Sequence, residues 1–181
     1  MSTFPEIPRW QAVHPMIVHF PIALLLVTAV FLVLGLCWHR VRFALWGGAL
    51  LLMILGSTAA ILAVASGEAS AGAVTVSKEI EEVIEAHEEA GELTRTVFIV
   101  LTVIFAGLWG IYRYQERLFR QPLTNKQILI AMSVFVAIYV ASCSLLVYTG
   151  SLGGKLVHEF GVKAPLSSHQ SLVSKDAKLS Q

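Results

Sequence analysis

Four long apolar runs separated by short polar breaks dominate the chain, lying within residues 15–38, 43–65, 97–114 and 127–148. Each is about the ~20 residues that carry an α-helix through the hydrocarbon core of a bilayer. The pattern predicts helices over 15–38, 43–65, 78–114 and 127–148. The third is longer than a membrane crossing. Before its apolar part come Glu79, Glu81, Glu82, Glu85, Glu88, Glu89 and Glu92, with no proline from Lys78 to Tyr114. Among these acids Ile80, Val83, Ile84, His87, Ala90, Gly91 and Thr94 recur at spacings of three and four, one stripe of an amphipathic helix. That half rises about 20 Å beyond the bilayer and needs a partner for its stripe. The fold class expected is therefore all-α: an integral membrane four-helix bundle with its third helix extended. A polar segment over 1–13 precedes the four-helix domain, 14–163, and a polar tail follows over 164–181.

Punctuation refines the picture. Pro15 suits a first helical turn, where a missing N–H costs nothing. Pro21 lies deeper, removes the bond to the Ile17 carbonyl and predicts a bend between His14 and Phe20. The second run is rich in small residues (Gly47, Gly48, Gly56, Ser57, Ala59, Ala60 and Ala63), which let helices or a flat cofactor approach closely. Gly67 and Gly72 predict a turn after it. The segment from Thr149 to Val162 is expected to leave the fourth helix.

Composition agrees: 56% of residues are hydrophobic and 14% charged, far from the roughly 25% charged of soluble domains. A net charge of +1 and the lack of a basic stripe argue against nucleic acid as a partner. Cys37 and Cys143 form no CxxC pair and no CxxCH motif for covalent haem. No nucleotide loop or serine–histidine–acid arrangement stands out. Arg40 and Arg42 in the first link, and Arg113, Arg117, Arg120 and Lys126 in the third, mark the cytoplasmic side. Both termini are then expected in the periplasm.

With four crossings, His14, His19, His87 and His158 fall on one side of the membrane; His39 lies opposite and His169 is in the tail. Imidazole ligates metals and haem iron and titrates near neutrality. His14 and His19 stand about 140° apart on a regular helix, so they do not face one iron together. His19 lies within apolar sequence, where an ionisable group is a functional candidate. His87 has Gly91 one turn away, which leaves room for a planar ring. Glu159 follows His158 as a partner for its second nitrogen. The first choice of axial pair is His19 with His87, with His14 and His158 as a second pair or as support. One difficulty attaches to it: His87 precedes the apolar part of its helix by ten residues, about 15 Å of rise, so tilt or an ordered cap must bring the histidines level. Two other readings stay open. One is a zinc or copper site made by the same histidines with nearby glutamates; the other is an accessory subunit that docks a larger membrane complex through its acidic face.

The opening segment from His14 to Leu24 (HPMIVHFPIAL), the Ser66-Gly67 pair, His87 and the Gly150-to-Val157 segment (GSLGGKLV) together resemble the bacterial membrane proteins grouped as domain of unknown function 2231. The resemblance runs from His14 to Val162. It implies a four-helix protein of the bacterial inner membrane and, because some members accompany cytochrome-type modules, one or two non-covalent b-type haems. The expected role is that of an electron-transfer or accessory subunit rather than a free-standing enzyme. Its partners would be membrane lipid, a quinol, and a separate periplasmic cytochrome or larger complex.

Overall fold

The computed structural model describes residues 10, 13–71, 76–118, 121 and 123–162. The expected polar segments over 1–13 and 164–181, with His169, lie outside these residues except at Trp10 and Val13; so does the turn expected at Gly72. The elements are α1 (His14–Ile17), α2 (His19–Cys37), α3 (Arg42–Ala71), α4 (Lys78–Leu118) and α5 (Asn125–His158). α1 and α2 form one crossing interrupted at Val18. Pro21 has no N–H for the Ile17 carbonyl, and the next bond, Ile22 N–H to Val18 O, is stretched to 3.5 Å. The resulting four helical units are each long and apolar enough to cross a membrane.

The helices form an up-and-down square. α2 lies against α3 and α5, α4 against the same two, and among the described residues α2 and α4 face each other across the diagonal without backbone contact. Leu25 and Leu32 from α2, Trp46 and Met53 from α3, Phe98 and Phe105 from α4, and Phe135 and Tyr139 from α5 fill the centre. Val30, Leu51, Val103 and Ile138 point outward and are exposed. Helices apolar on both faces are what a lipid solvent requires.

Most polar groups inside the bundle are satisfied internally, because lipid offers them nothing; among the described residues Trp109 Nε1 and Gln115 Oε1 are buried without a partner. Tyr139 Oη donates to the Leu25 carbonyl at 3.0 Å, tying α5 to α2. Ser57 Oγ lies 2.9 Å from Thr102 Oγ1 and donates to the Phe98 carbonyl at 3.3 Å, tying α3 to α4. At the end of α2, Arg42 Nε donates to Gly35 O at 2.9 Å and Nη2 to Leu36 O at 3.3 Å. These carbonyls have no onward helical donor, so the side chain caps them. The same guanidinium lies 5.3 Å above the Trp46 ring, and Trp46 Nε1 donates to Leu32 O at 3.4 Å. α5 starts at a reciprocal capping box between Thr124 and Gln127.

Two boundaries differ from expectation. α3 continues past 65 to Ala71, and α5 past 148 to His158, so Gly67, Gly150, Gly153 and Gly154 are helical rather than turn or exit residues. A helical glycine costs about 1 kcal/mol relative to alanine. Side-chain contacts across the bundle offset that cost, as the site below makes plain. Together with the long α4 these extensions build an ordered cap above the apolar runs.

The tightest helix contact yields a test. A Cβ on Gly35 would fall inside the fully buried Trp46 indole. Gly35→Ala is expected to destabilise the bundle by about 1–3 kcal/mol through overpacking, read as a lowered detergent unfolding midpoint. An unchanged midpoint would show that Trp46 moves aside freely.

Candidate functional site

The cap encloses one cavity of about 500 Å³ reached by all four helical units. His14 enters it from α1 and His87 from α4. Their rings stand 6.3 Å apart, centre to centre, with planes at 79°. Both residues are half-buried.

Each ring is held in the same way. His14 Nδ1 donates to the Ala63 carbonyl at 2.9 Å, with Ser66 Oγ at 3.1 Å. His87 Nδ1 donates to the Thr149 carbonyl at 3.1 Å. A carbonyl only accepts, so Nδ1 carries the proton and Nε2 is left with its lone pair. One turn beyond each carbonyl stands a glycine. A Cβ on Gly67 would lie 3.1 Å from His14 Cε1, and one on Gly153 would lie 3.1 Å from His87 Cε1. The two hairpins of the bundle thus repeat one device: an imidazole from the first helix, with a carbonyl and a glycine four residues later on the second. Thr149 is braced further. Its hydroxyl donates to the Ala90 carbonyl at 3.2 Å and lies 2.9 Å from Thr94 Oγ1.

Small residues shape the remaining wall. Gly150 and Gly154, one turn apart on α5, line the cavity, and a Cβ on either would meet nothing within 4 Å. Ala60 and Ala63 line it from α3. The cavity lining is mostly apolar.

Charge is distributed unevenly around it. Glu68 from α3 and Glu88, Glu92 and Arg95 from α4 line the α3–α4 seam. In the part of α4 that precedes its apolar run, burial pushes the Glu88 carboxyl above its ordinary range, and Glu68, Glu92 and Glu85 add to the effect. Burial likewise pushes His87 down, against the opposing pull of the Thr149 carbonyl. The neutral imidazole, which is the ligating form, is therefore favoured near pH 7.

All four expected histidines border this cavity, but in two classes. His14, rather than His19, comes ring to ring with His87. His19 and His158 line the cavity from exposed positions. The reason lies in the helix break and the packing: His19 is about 140° round the helix from His14, while α3 and α5 bring the Ala63 and Thr149 carbonyls to the level of His14 and His87. That extension also resolves the difference in height expected from sequence. His39 is exposed on the link between α2 and α3, away from the cavity. Cys37 and Cys143 are unpaired, and neither lines it. Among the described residues no three His, Cys, Asp or Glu side chains gather as metal ligands. Sequence reasoning missed Ala63, Thr149, Gly67 and Gly153 as parts of the site. A glycine following polar or small residues near the end of an apolar run looked like a turn, and a backbone carbonyl leaves no mark in residue identity.

Comparison with known proteins adds the family. No curated protein and no solved structure matches the chain. Residues 11–165, a stretch that holds the whole helical bundle and every residue lining the cavity, match the family described as "Predicted membrane protein (DUF2231)". The chain belongs to that family of membrane proteins.

Proposed function

We propose that the protein is a membrane redox subunit that holds one b-type haem between His14 and His87. The spacing of those two rings carries the reading. Imidazole–metal bonds are about 2.0 Å and the ring centre lies about 1.1 Å further, so two rings on opposite sides of one metal stand about 6.2 Å apart. The separation here is 6.3 Å. The fit extends outward. Each Nδ1 is bonded to a backbone carbonyl, which fixes the tautomer and raises the basicity of Nε2. The glycine-floored wall is flat enough for a planar macrocycle, and about 500 Å³ is of the size such a ring needs.

When bound, an iron with two imidazole ligands supplies one-electron transfer and has no vacant position for oxygen chemistry. The chain's own part is to orient two neutral imidazoles, exclude water and shield the ring from lipid. Zinc or copper fits less well, since such sites take three or four protein ligands and the described residues offer no such group here. The arginines at the opposite end, Arg40, Arg42, Arg113 and Arg117, support an inner-membrane protein with this cavity on the periplasmic side. A lipid-soluble quinol would then be the donor. The acceptor would be a separate periplasmic protein, because this chain carries no covalent-haem motif.

Detergent-purified, haem-loaded protein is expected to give a sharp reduced b-type spectrum. His14→Ala and His87→Ala are each expected to abolish the low-spin form, while His19→Ala retains it. A low-spin spectrum surviving in either of the first two variants sinks the assignment. The near-perpendicular rings further predict a highly anisotropic low-spin electron paramagnetic resonance signal; a rhombic signal would point to parallel rings and another ligand pair.

The glycine wall gives an independent check. Gly150→Phe adds an aromatic ring at a cavity-lining position where a Cβ meets nothing within 4 Å, so the bundle is expected to fold with at least a tenfold loss of haem affinity. Unchanged loading would place the macrocycle elsewhere.

A further inference from the structure

We infer that His19 and His158 form the anion-binding mouth of the cavity, where they hold the two carboxylates of the macrocycle. This rests on the haem reading above and gives the ring a direction that the axial pair leaves open.

A flat ring with two carboxylates must send them out through a gap in the helix wall, because burying an unpaired carboxylate in an apolar cavity is costly. Two sides are available. At the α3–α4 seam the helices pack together, and three carboxylates, Glu68, Glu88 and Glu92, stand against one arginine, Arg95. Burial pushes the Glu88 carboxyl up, and the neighbouring carboxylates add to the effect. Two further negative charges there would add repulsion.

The other side is between α1 and α5. Among the described residues α1 packs on α2 and α3 but not on α5, so a gap remains at the level of His14. Gly150 and Gly154 floor it, with open space where their Cβ atoms would stand. His19 from α2 and His158 from α5 line the cavity, both exposed, and among the described residues no carboxylate of α1, α2 or α5 lines it. An imidazole presents at least one N–H donor whether neutral or charged. Two such donors at an open mouth beside the bilayer suit two carboxylates that stay partly hydrated, and hydrogen bonds to a charged acceptor are the stronger kind. His14 and His87 would then grip the iron while His19 and His158 fix the rotation of the ring about the axis joining them. All four histidines of this surface thus acquire roles, in two functionally different pairs.

The test compares haem b with its dimethyl ester, whose carboxylates are blocked, as ligands for the apo full-length protein in detergent. Wild type is expected to bind haem b about tenfold or more tightly than the ester, with both rings low-spin. The His19→Ala/His158→Ala double variant is expected to lose that preference while keeping the low-spin spectrum. The His19→Gln/His158→Gln variant, which retains N–H donors, is expected to recover part of it. Glu68→Gln is expected to leave the preference intact. Wild type binding both rings equally, or a preference undiminished in the alanine double variant, overturns the assignment. A preference raised in Glu68→Gln and kept in the double alanine variant would overturn it in favour of the α3–α4 seam. Failure of wild type to take up either ring in low-spin form would instead overturn the haem reading, and this inference with it.

Discussion

Two hydrogen bonds from histidine to helix backbone organise the cavity end of this protein. His14 reaches the Ala63 carbonyl and His87 the Thr149 carbonyl, and each bond links the two helices of one hairpin. One turn beyond each carbonyl lies the glycine against which the imidazole sits. To present both, α3 and α5 run past their apolar stretches. They do so through glycine-containing turns that would otherwise mark helix ends. The imidazole seated on each glycine supplies the packing that the missing side chain forgoes. Cap, cavity and ring orientation all follow from this one requirement.

The membrane imposes the complementary constraint on the rest of the chain. With lipid outside, apolar surface no longer distinguishes interior from exterior, so helix association rests on close packing and internal hydrogen bonds. Gly35 receives the Trp46 indole, and a Cβ on Gly56 would lie 2.7 Å from Leu25 Cδ2. Tyr139, Ser57 and Thr102 spend their polar groups on neighbouring helices. Arg42 closes the far end of α2. This half of the molecule is a tightly packed pedestal with its helices cross-linked by hydrogen bonds. Such a base holds two imidazoles apart at a fixed distance better than a loop-built site could.

The repeated device also explains why the two hairpins are needed together. A single hairpin seats one imidazole beside one carbonyl and one glycine. Pairing two hairpins side by side brings the rings together, nearly perpendicular, across the diagonal of the square. The acidic α3–α4 seam and the open α1–α5 side then break the near-symmetry. One wall of the cavity carries carboxylates, and the other carries His19 and His158 with none.

Local properties of the chain made the membrane class, the four crossings, the extended third helix and the common surface of the histidines readable. Hydropathy over about twenty residues, the spacing of apolar positions among glutamates and the parity of crossings require no knowledge of what touches what. Pro21 likewise announced the break before α2, because its missing N–H acts within one turn. The approach of the His14 ring, rather than His19, to His87 was not readable in that way, nor was the continuation of α3 and α5 through their glycines, or the use of the Ala63 and Thr149 carbonyls. Each depends on contacts between residues some fifty to sixty positions apart: His14 with Ala63 and His87 with Thr149. A carbonyl is the same in every residue, so its use as an anchor is set by where the packed helices bring it. The identity of Ala63 or Thr149 says nothing of it.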